Sequence, residues 1–263
     1  MRRLRRLIQK RTLRWSEGVC VIEGPDLVRA ALDASIEFEA IYADADASLD
    51  VAMRGLLADA SARGVRVFSL ATGVLDRVAD TTTPQPIMAA VRLPISELSV
   101  ISPDGLILIL HDVRDPGNAG TLIRSADAAG ASGLIFTGNS VDPFNPKTLR
   151  STAGSIFHVP VAVASLEDAV AHLRSRGFRV LATVVRGGSN LREVDFSVPT
   201  AVVIGNEASG LDDESIARCD GSITIEMAGD SESLNAGVAG SLIAFEALWR
   251  RQDTKRPPAT PSL

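Results

Sequence analysis

The chain has 263 residues, 46% of them apolar, and a formal net charge of −5, the composition of a globular protein with room for two modest domains. Its longest aliphatic run, residues 106–110, falls far short of the roughly 20 apolar residues that cross a bilayer. Cys20 and Cys219 stand far apart without a CxxC pair, and His111, His158 and His172 lack metal-ligand spacing, so neither a disulfide framework nor a metal site is expected.

The first 14 residues hold Arg2, Arg3, Arg5, Arg6, Lys10, Arg11 and Arg14 and no acid, a formal +7 that leaves −12 on the remainder. No apolar core of about 7 to 15 residues follows them, as a secretory signal would need, and the protein is expected to stay in the cytoplasm. Residues 1–14 read either as a solvated terminus or as a phosphate-tracking arm. Such an arm gives salt-dependent affinity for RNA without choosing its sequence.

Residues 15–92 alternate short apolar runs, at 19–22, 38–42, 65–68 and 87–91, with helical spacing at 25–34 and 49–63, which predicts a small α/β domain. Residues 93–104, with two prolines, three serines and no periodicity, read as a linker. A second alternation fills residues 105–252, with strands predicted at 106–110, 134–136, 159–163, 180–184, 201–204 and 223–225. Helical segments lie between most of them, the pattern of a mostly parallel sheet covered on both faces, whose ligands gather at the carboxyl ends of the strands. A last helix is expected from Ser233, with Leu234, Val238, Leu242, Phe245 and Trp249 forming an apolar stripe that packs against something. The tail, residues 253–263, is expected to be disordered.

Three strand-end segments carry the chemistry. The first, Asp115-Pro-Gly-Asn-Ala-Gly-Thr-Leu-Ile-Arg124, turns at Pro116 and Gly117, offers Asn118 as a helix cap and sets Arg124 about two turns in. By itself it could be an ordinary strand-to-helix turn, and its glycines are out of frame for a dinucleotide fold. The second, Ile204-Gly-Asn-Glu-Ala-Ser-Gly-Leu211, spaces Gly205 and Gly210 as in a P-loop but has Leu211 and Asp212 where that loop needs Lys and Ser or Thr. Glu207 within it repels phosphate yet suits an uncharged nucleoside, a cationic ligand or an arginine. The third, Ile225-Glu-Met-Ala-Gly-Asp-Ser-Glu-Ser-Leu-Asn235, leads into the last helix. Ser233 and Asn235 fit its start, and Met227 reads by default as a core filler.

Together and in this order, the three segments closely resemble the motifs of the SpoU, or TrmH, family of SPOUT RNA methyltransferases. The resemblance runs from residue 105 to about 249 and rests on Asn118 with Arg124, on Gly205, Asn206 and Glu207 with Gly210, and on Ile225 and Met227 followed by Ser233, Leu234 and Asn235. Residues 15–92, with Glu23 and Gly24 before a helix, look like the substrate-binding domain common in that family. One departure stands at Ala236 and Gly237, where the family has Val and then Ser or Ala; a glycine there costs a helix about 1 kcal/mol relative to alanine.

The resemblance implies an α/β fold with a trefoil-knotted, mostly parallel sheet, a homodimer whose sites draw on both subunits, and S-adenosylmethionine as cofactor. It places Thr183, Gly205, Asn206, Ile225, Met227 and Leu234 around that cofactor. Arg124 would hold the ribose 2′-hydroxyl and the adjacent phosphate, since a guanidinium seldom gives up its proton. Asn118, Ser233 and Asn235 would align the nucleophile, and Glu207 would orient Arg124, within the chain or across the dimer. The implied substrate is ribosomal or transfer RNA. A noncatalytic RNA-binding homologue and base methylation on the same scaffold are the alternatives.

Overall fold

The computed structural model describes residues 1–255, in two compact units: residues 1–94 with 142–158, and residues 95–141 with those from 159 onward. In chain order the elements are α1 (Arg2–Gln9), α2 (Arg11–Glu17), β1 (Val19–Glu23), α3 (Pro25–Asp33), β2 (Phe38–Asp44), α4 (Val51–Ala62), β3 (Val67–Leu70) and β4 (Ile87–Arg92). Then come β5 (Leu106–His111), α5 (Pro116–Ala128), β6 (Gly133–Thr137), α6 (Pro146–Ser151), β7 (Val161–Val163) and α7 (Leu166–Ser175). The chain closes with β8 (Arg179–Thr183), β9 (Ser189–Asn190), β10 (Thr200–Ile204), α8 (Asp213–Ala217), β11 (Gly221–Thr224) and α9 (Ala236–Lys255).

The first unit is built on a sheet of order β1-β4-β2-β3, antiparallel except for β2 with β3. Residues 1–14, expected as an arm, belong to this body. Helix α1 turns Leu4, Leu7 and Ile8 inward at i, i+3 and i+4, the spacing of one helix face, and they pack with Val19, Val21, Leu75 and Met88. Arg14 lies inside as well, which removes it from the expected RNA-facing set. Its Nε and Nη2 donate to Asp142 Oδ2 at 2.9 and 2.6 Å, and its Nη1 to the Leu7 and Ile8 carbonyls at 2.6 and 2.9 Å. A charge out of water needs such a partner, and the two carbonyls lie in the last turn of α1, where no helical donor reaches them. Asp142 comes from the returning stretch 142–158, which makes a second tie where Arg150 Nη1 donates to Glu23 Oε2 at 3.0 Å. The unit is thus larger than the expected 15–92 at both ends of that range and includes a piece from the middle of the chain.

The second unit holds a sheet of order β7-β6-β5-β10-β8-β11-β9, with every pair parallel. Strands β6 and β10 are buried throughout and β5 in all but its last residue, which is why they read as uninterrupted aliphatic runs. The expected linker 93–104 is part of this unit from residue 95. Ile95 bridges to Val161, the Ser96 N–H donates to the Val161 carbonyl at 2.8 Å, and Ile101 is buried among Ile107, Ile135 and Val180.

Helix α5 begins under Asp115, whose Oδ1 accepts from the Asn118 N–H at 2.8 Å; the cap is therefore Asp115, with Asn118 already in the helix. Helix α9 begins at Ala236, three residues later than expected, under Asn235, whose Oδ1 accepts from the Val238 N–H at 3.2 Å. Its packed face consists of Ala236, Gly240, Ile243, Ala244 and Ala247. A methyl group on Gly240 would overlap Leu122 and stand 2.5 Å from Ile204 Cδ1, so α9 approaches α5 and β10 too closely for large side chains. The stripe of Leu234, Val238, Leu242 and Trp249 is accordingly exposed, with Phe245 half-buried; among the described residues it is not the face that packs on α5 and β10. Helix α9 also takes in residues 253–255 of the expected tail, and residues 256–263 lie outside the described residues.

Candidate active site

Strand β10 delivers its chain into a tight loop at Gly205. A Cβ there would stand 2.5 Å from the Gly210 carbonyl carbon and 2.7 Å from Leu211 N, distances that real side chains do not tolerate. Asn206 and Gly210 exchange backbone hydrogen bonds at 3.1 and 3.0 Å, and Gly210 takes a left-handed φ of 67°, a conformation that suits glycine. Asn206 Oδ1 accepts from the Ala208 and Ser209 N–H groups at 2.9 and 3.2 Å, while its Nδ2 donates to the Asp112 carbonyl at 2.8 Å. One side chain therefore shapes the loop after β10 and ties it to the turn after β5.

Glu207 makes the second tie. Its carboxylate accepts from the backbone N–H groups of Arg114 and Asp115 at 3.3 and 3.1 Å and from Asn118 Nδ2 at 3.0 Å. Burial by itself would raise the Glu207 carboxyl; the bonds from Asn118 and the neighbouring backbone outweigh it and hold the group below its ordinary value, so it is an anion at neutral pH. Because Asn118 gives one Nδ2 proton to Glu207, its oxygen and its second N–H are left for other partners. Within this chain Glu207 bonds the 114–118 turn and not Arg124, contrary to the expectation that it orients the guanidinium inside one chain.

The ends of β8, β10 and β11 enclose a cavity of about 340 Å³. All six residues expected around the cofactor line it: Thr183, Gly205, Asn206, Ile225, Met227 and Leu234, together with Glu207 and Ser233. Thr183 Oγ1 is turned to the Val203 carbonyl at 2.9 Å, which leaves its methyl side as part of the wall. Sequence reasoning, which allowed for neighbours of Thr183, misses the flanking Ile204, Ile223, Glu232 and Ala236; Ile204 ends a strand and Ile223 is next to last in one, so the rule of strand carboxyl ends could have found these two. The lining includes the carboxylates of Glu207 and Glu232 and no Lys, Arg or His, a wall suited to an uncharged or cationic ligand and hostile to phosphate.

Asn118, Arg124 and Asn235 stand outside that lining, on the junction of α5 with α9. At Gly237 a Cβ would meet Asn235 Oδ1 at 3.1 Å, Asn118 Oδ1 at 3.2 Å and Thr121 Cβ at 3.3 Å, so the two asparagine oxygens converge on one point. This explains the glycine that departs from the family pattern: it lets the start of α9 sit directly on α5. Arg124, six residues after Asn118, is exposed, and its side chain has no hydrogen bond or ion pair among the described residues. One turn further on, Ser125 and Ser241 hydroxyls meet at 2.7 Å, which keeps α5 and α9 in contact beyond the junction.

Of the basic residues expected to meet RNA, Arg2, Arg5, Arg6, Lys10 and Arg11 are exposed on the first unit. Arg3 is held by Glu17 and Glu39, each at 2.6 Å, and Arg14 is in the core. Among the described residues no cluster of His, Cys, Asp and Glu is arranged as a metal site, and no helix is long and apolar enough to cross a membrane.

Comparison with known proteins agrees with this geometry. The model of the SpoU rRNA methylase family matches residues 105–245, and that of the MRM3-like substrate-binding domain matches residues 1–89. The 23S rRNA (guanosine(2553)-2′-O)-methyltransferase RlmP of Bacillus subtilis is 35% identical over 182 residues, 69% of this chain and 72% of that protein. Among solved structures, an AdoMet-bound rRNA methyltransferase from Sinorhizobium meliloti superposes with a TM-score of 0.82 at 33% identity, over 94% of this chain and 92% of that one. The SpoU methyltransferase AviRb of Streptomyces viridochromogenes in complex with AdoMet does so with a TM-score of 0.85 at 30% identity, over 95% and 97%.

Proposed function

The chain belongs to the SpoU rRNA methylase family, and from that premise we propose that the cavity at the ends of β8, β10 and β11 holds S-adenosylmethionine beside a ribose of ribosomal RNA. The protein is an S-adenosylmethionine-dependent RNA 2′-O-ribose methyltransferase of α/β SPOUT fold preceded by a substrate-binding domain. Ribosomal RNA is favoured as substrate because a relative that matches nearly the whole of this chain is an rRNA methyltransferase. The protein acts where that RNA is handled, in the cytoplasm.

The observation that carries the reading is the bond between Asn118 and Glu207, 3.0 Å long, together with the convergence of Asn118 and Asn235 at Gly237. Three loops far apart in sequence thereby meet at one place, beside a wall without cations. When bound, S-adenosylmethionine supplies a methyl group on a cationic sulfur, and the neutral thioether left behind needs no acid to leave. Glu207 and Glu232 favour that positive charge, and Ile204, Ile225, Met227 and Leu234 keep water from it.

Arg124 faces the ribose. Its guanidinium serves as a fixed donor that stabilises negative charge developing on the 2′-oxygen as the O–C bond forms and the S–C bond breaks, the hydroxyl proton passing to water. Asn118, Asn235 and Ser233 align that hydroxyl, an arrangement that lets a site without histidine, cysteine or metal work by positioning. Without a 2′-hydroxyl there is no acceptor, and DNA is not a substrate.

The reading extends to a homodimer and to a trefoil-knotted backbone. A dimer is supported by the exposed apolar stripe of α9 and by the position of Arg124, outside the cavity of its own chain and free to face that of a second copy. The knot is supported by the strand order, in which β10 lies between β5 and β8 while β11 lies between β8 and β9. On the first unit, the exposed Arg2, Arg5, Arg6, Lys10 and Arg11 form the RNA-facing charge, with Arg3 beside them.

The reaction is tested by incubating the protein with methyl-labelled S-adenosylmethionine and large-subunit ribosomal RNA. Label is expected in alkali-resistant dinucleotides, because a 2′-O-methyl group blocks strand cleavage at that sugar. Label on a base, or binding of both substrates with no transfer, would refute the ribose assignment.

A further inference from the structure

We propose that Thr121 is a further substrate-contacting residue, whose hydroxyl donates a hydrogen bond to the sugar–phosphate backbone of the RNA between the positions served by Asn118 and Arg124; this rests on the reading above. Helix α5 buries Ala119, Gly120, Leu122, Ile123, Ser125 and Ala126. On its open side Asn118, Thr121 and Arg124 follow one another at i, i+3 and i+6, each step rising about 4.5 Å along the axis. Thr121 is therefore the middle member of the row that already carries the two side chains closest to the chemistry.

Its hydroxyl, like that of Thr148 in α6, has no partner among the described residues, whereas most other helical hydroxyls are engaged. Ser61, Ser151 and Ser241 each turn their hydroxyls back to the carbonyl four residues earlier, at 2.9, 2.9 and 2.6 Å, the habitual arrangement for such a group within a helix. Thr121, on an exposed position, has no hydrogen-bond partner among the described residues. Nor is it covered from the side of α9, where residue 237 is glycine; a side chain there would press within 3.3 Å of Thr121 Cβ and 3.2 Å of Asn118 Oδ1.

The chemistry of the row also leaves a place for it. Asn118, with one Nδ2 proton given to Glu207, still presents its oxygen as an acceptor beside its second N–H, and Arg124 presents donors only. A ribose with its phosphate offers both kinds of atom in sequence, and a threonine hydroxyl, which donates and accepts, fits between the two.

The test compares Thr121→Val, which keeps the shape and removes the hydroxyl, with Thr121→Ser, which keeps the hydroxyl. Methyl-transfer kinetics on ribosomal RNA, S-adenosylmethionine affinity and oligomeric state are measured for each full-length variant. Thr121→Val is expected to lower kcat/KM for RNA by about tenfold, the loss of one hydrogen bond to a charged group, with cofactor affinity and assembly unchanged, and Thr121→Ser to stay within about twofold of the wild type. Wild-type kinetics in Thr121→Val, equal losses in both variants, or a loss that follows dissociation of subunits each overturn the proposal. Failure of the wild-type protein to methylate any RNA would instead remove the reading on which it rests.

Discussion

Asn118 gives its side-chain amide to the Glu207 carboxylate at 3.0 Å, across 89 residues of sequence, so the loop after β10 and the first turn of α5 hold one another in place. The same carboxylate takes the backbone N–H groups of Arg114 and Asp115. Removing its charge should loosen the turn that precedes α5 as well as the amide of Asn118.

Glu207→Gln is expected to lower methyl transfer and to make stability less dependent on acid. The folded-state value of Glu207 is depressed below the ordinary 4.5, so its stabilising share is fully present above that pH and is lost as pH falls through the folded-state value. Thermal unfolding of the two proteins should differ above pH 5 and converge as pH falls well below 4.5. A gap that stays constant across that range would show that the carboxylate charge is not what holds the turn.

Arg124→Ala should cut transfer at least ~100-fold, the scale of losing a donor to developing charge, while cofactor binding changes little, because Arg124 does not line the cavity of its own chain. Arg124→Lys should recover little, since an ammonium lacks the planar fork. Titration calorimetry beside single-turnover assays separates the two effects; equal loss of affinity and rate would place Arg124 in the cofactor site.

Gly205→Ala should weaken S-adenosylmethionine binding without unfolding the protein, because the added methyl meets the Gly210 backbone and must open the loop. Equilibrium binding on a variant with unchanged circular dichroism checks this.

The basic residues at the start should divide into two groups. Arg14→Ala leaves Asp142 buried without its partner and should cost roughly 3–5 kcal/mol of stability, as breaking buried ion pairs does. Arg5→Ala and Arg6→Ala should leave stability unchanged and flatten the salt dependence of RNA binding. Denaturant unfolding and binding at several salt concentrations distinguish them.

Leu242→Glu places a charge in the outer stripe of α9 and should yield a monomer with little activity, read by light scattering and transfer assay. An active monomer would remove the second copy from the site.

Apart from the short, unburied β9, the strands and the three strand-end loops are legible in the sequence because buried strands are nearly unbroken aliphatic runs, and because glycine and capping residues mark the turns at their carboxyl ends. The cavity residues are legible through the resemblance. What the sequence hides depends on distant partners. Nothing near Arg14 announces Asp142, so a core ion pair reads as one more cation in a basic run. A stripe of large apolar residues on α9 suggests its buried face, yet the close approach at Gly240 assigns burial to the small residues and turns Leu242 and Trp249 outward. Residues 93–104 look like a linker because they lack periodicity, although the Ser96 bond to Val161 and the buried Ile101 fasten the stretch from residue 95 on. The cap of α5 is displaced from Asn118 to Asp115 because the Asp115 side chain reaches the third helical N–H, and Asn118 is left for Glu207.

Arg14 leaves the ribosome 128 residues ahead of Asp142, an interval on the order of ten seconds at ordinary rates of synthesis. During translation the nascent amino-terminal body therefore waits with an uncompensated guanidinium and an unfilled flank until half the polypeptide has emerged. A truncation after residue 94 would lack both Asp142 and Arg150, the partners of Arg14 and Glu23.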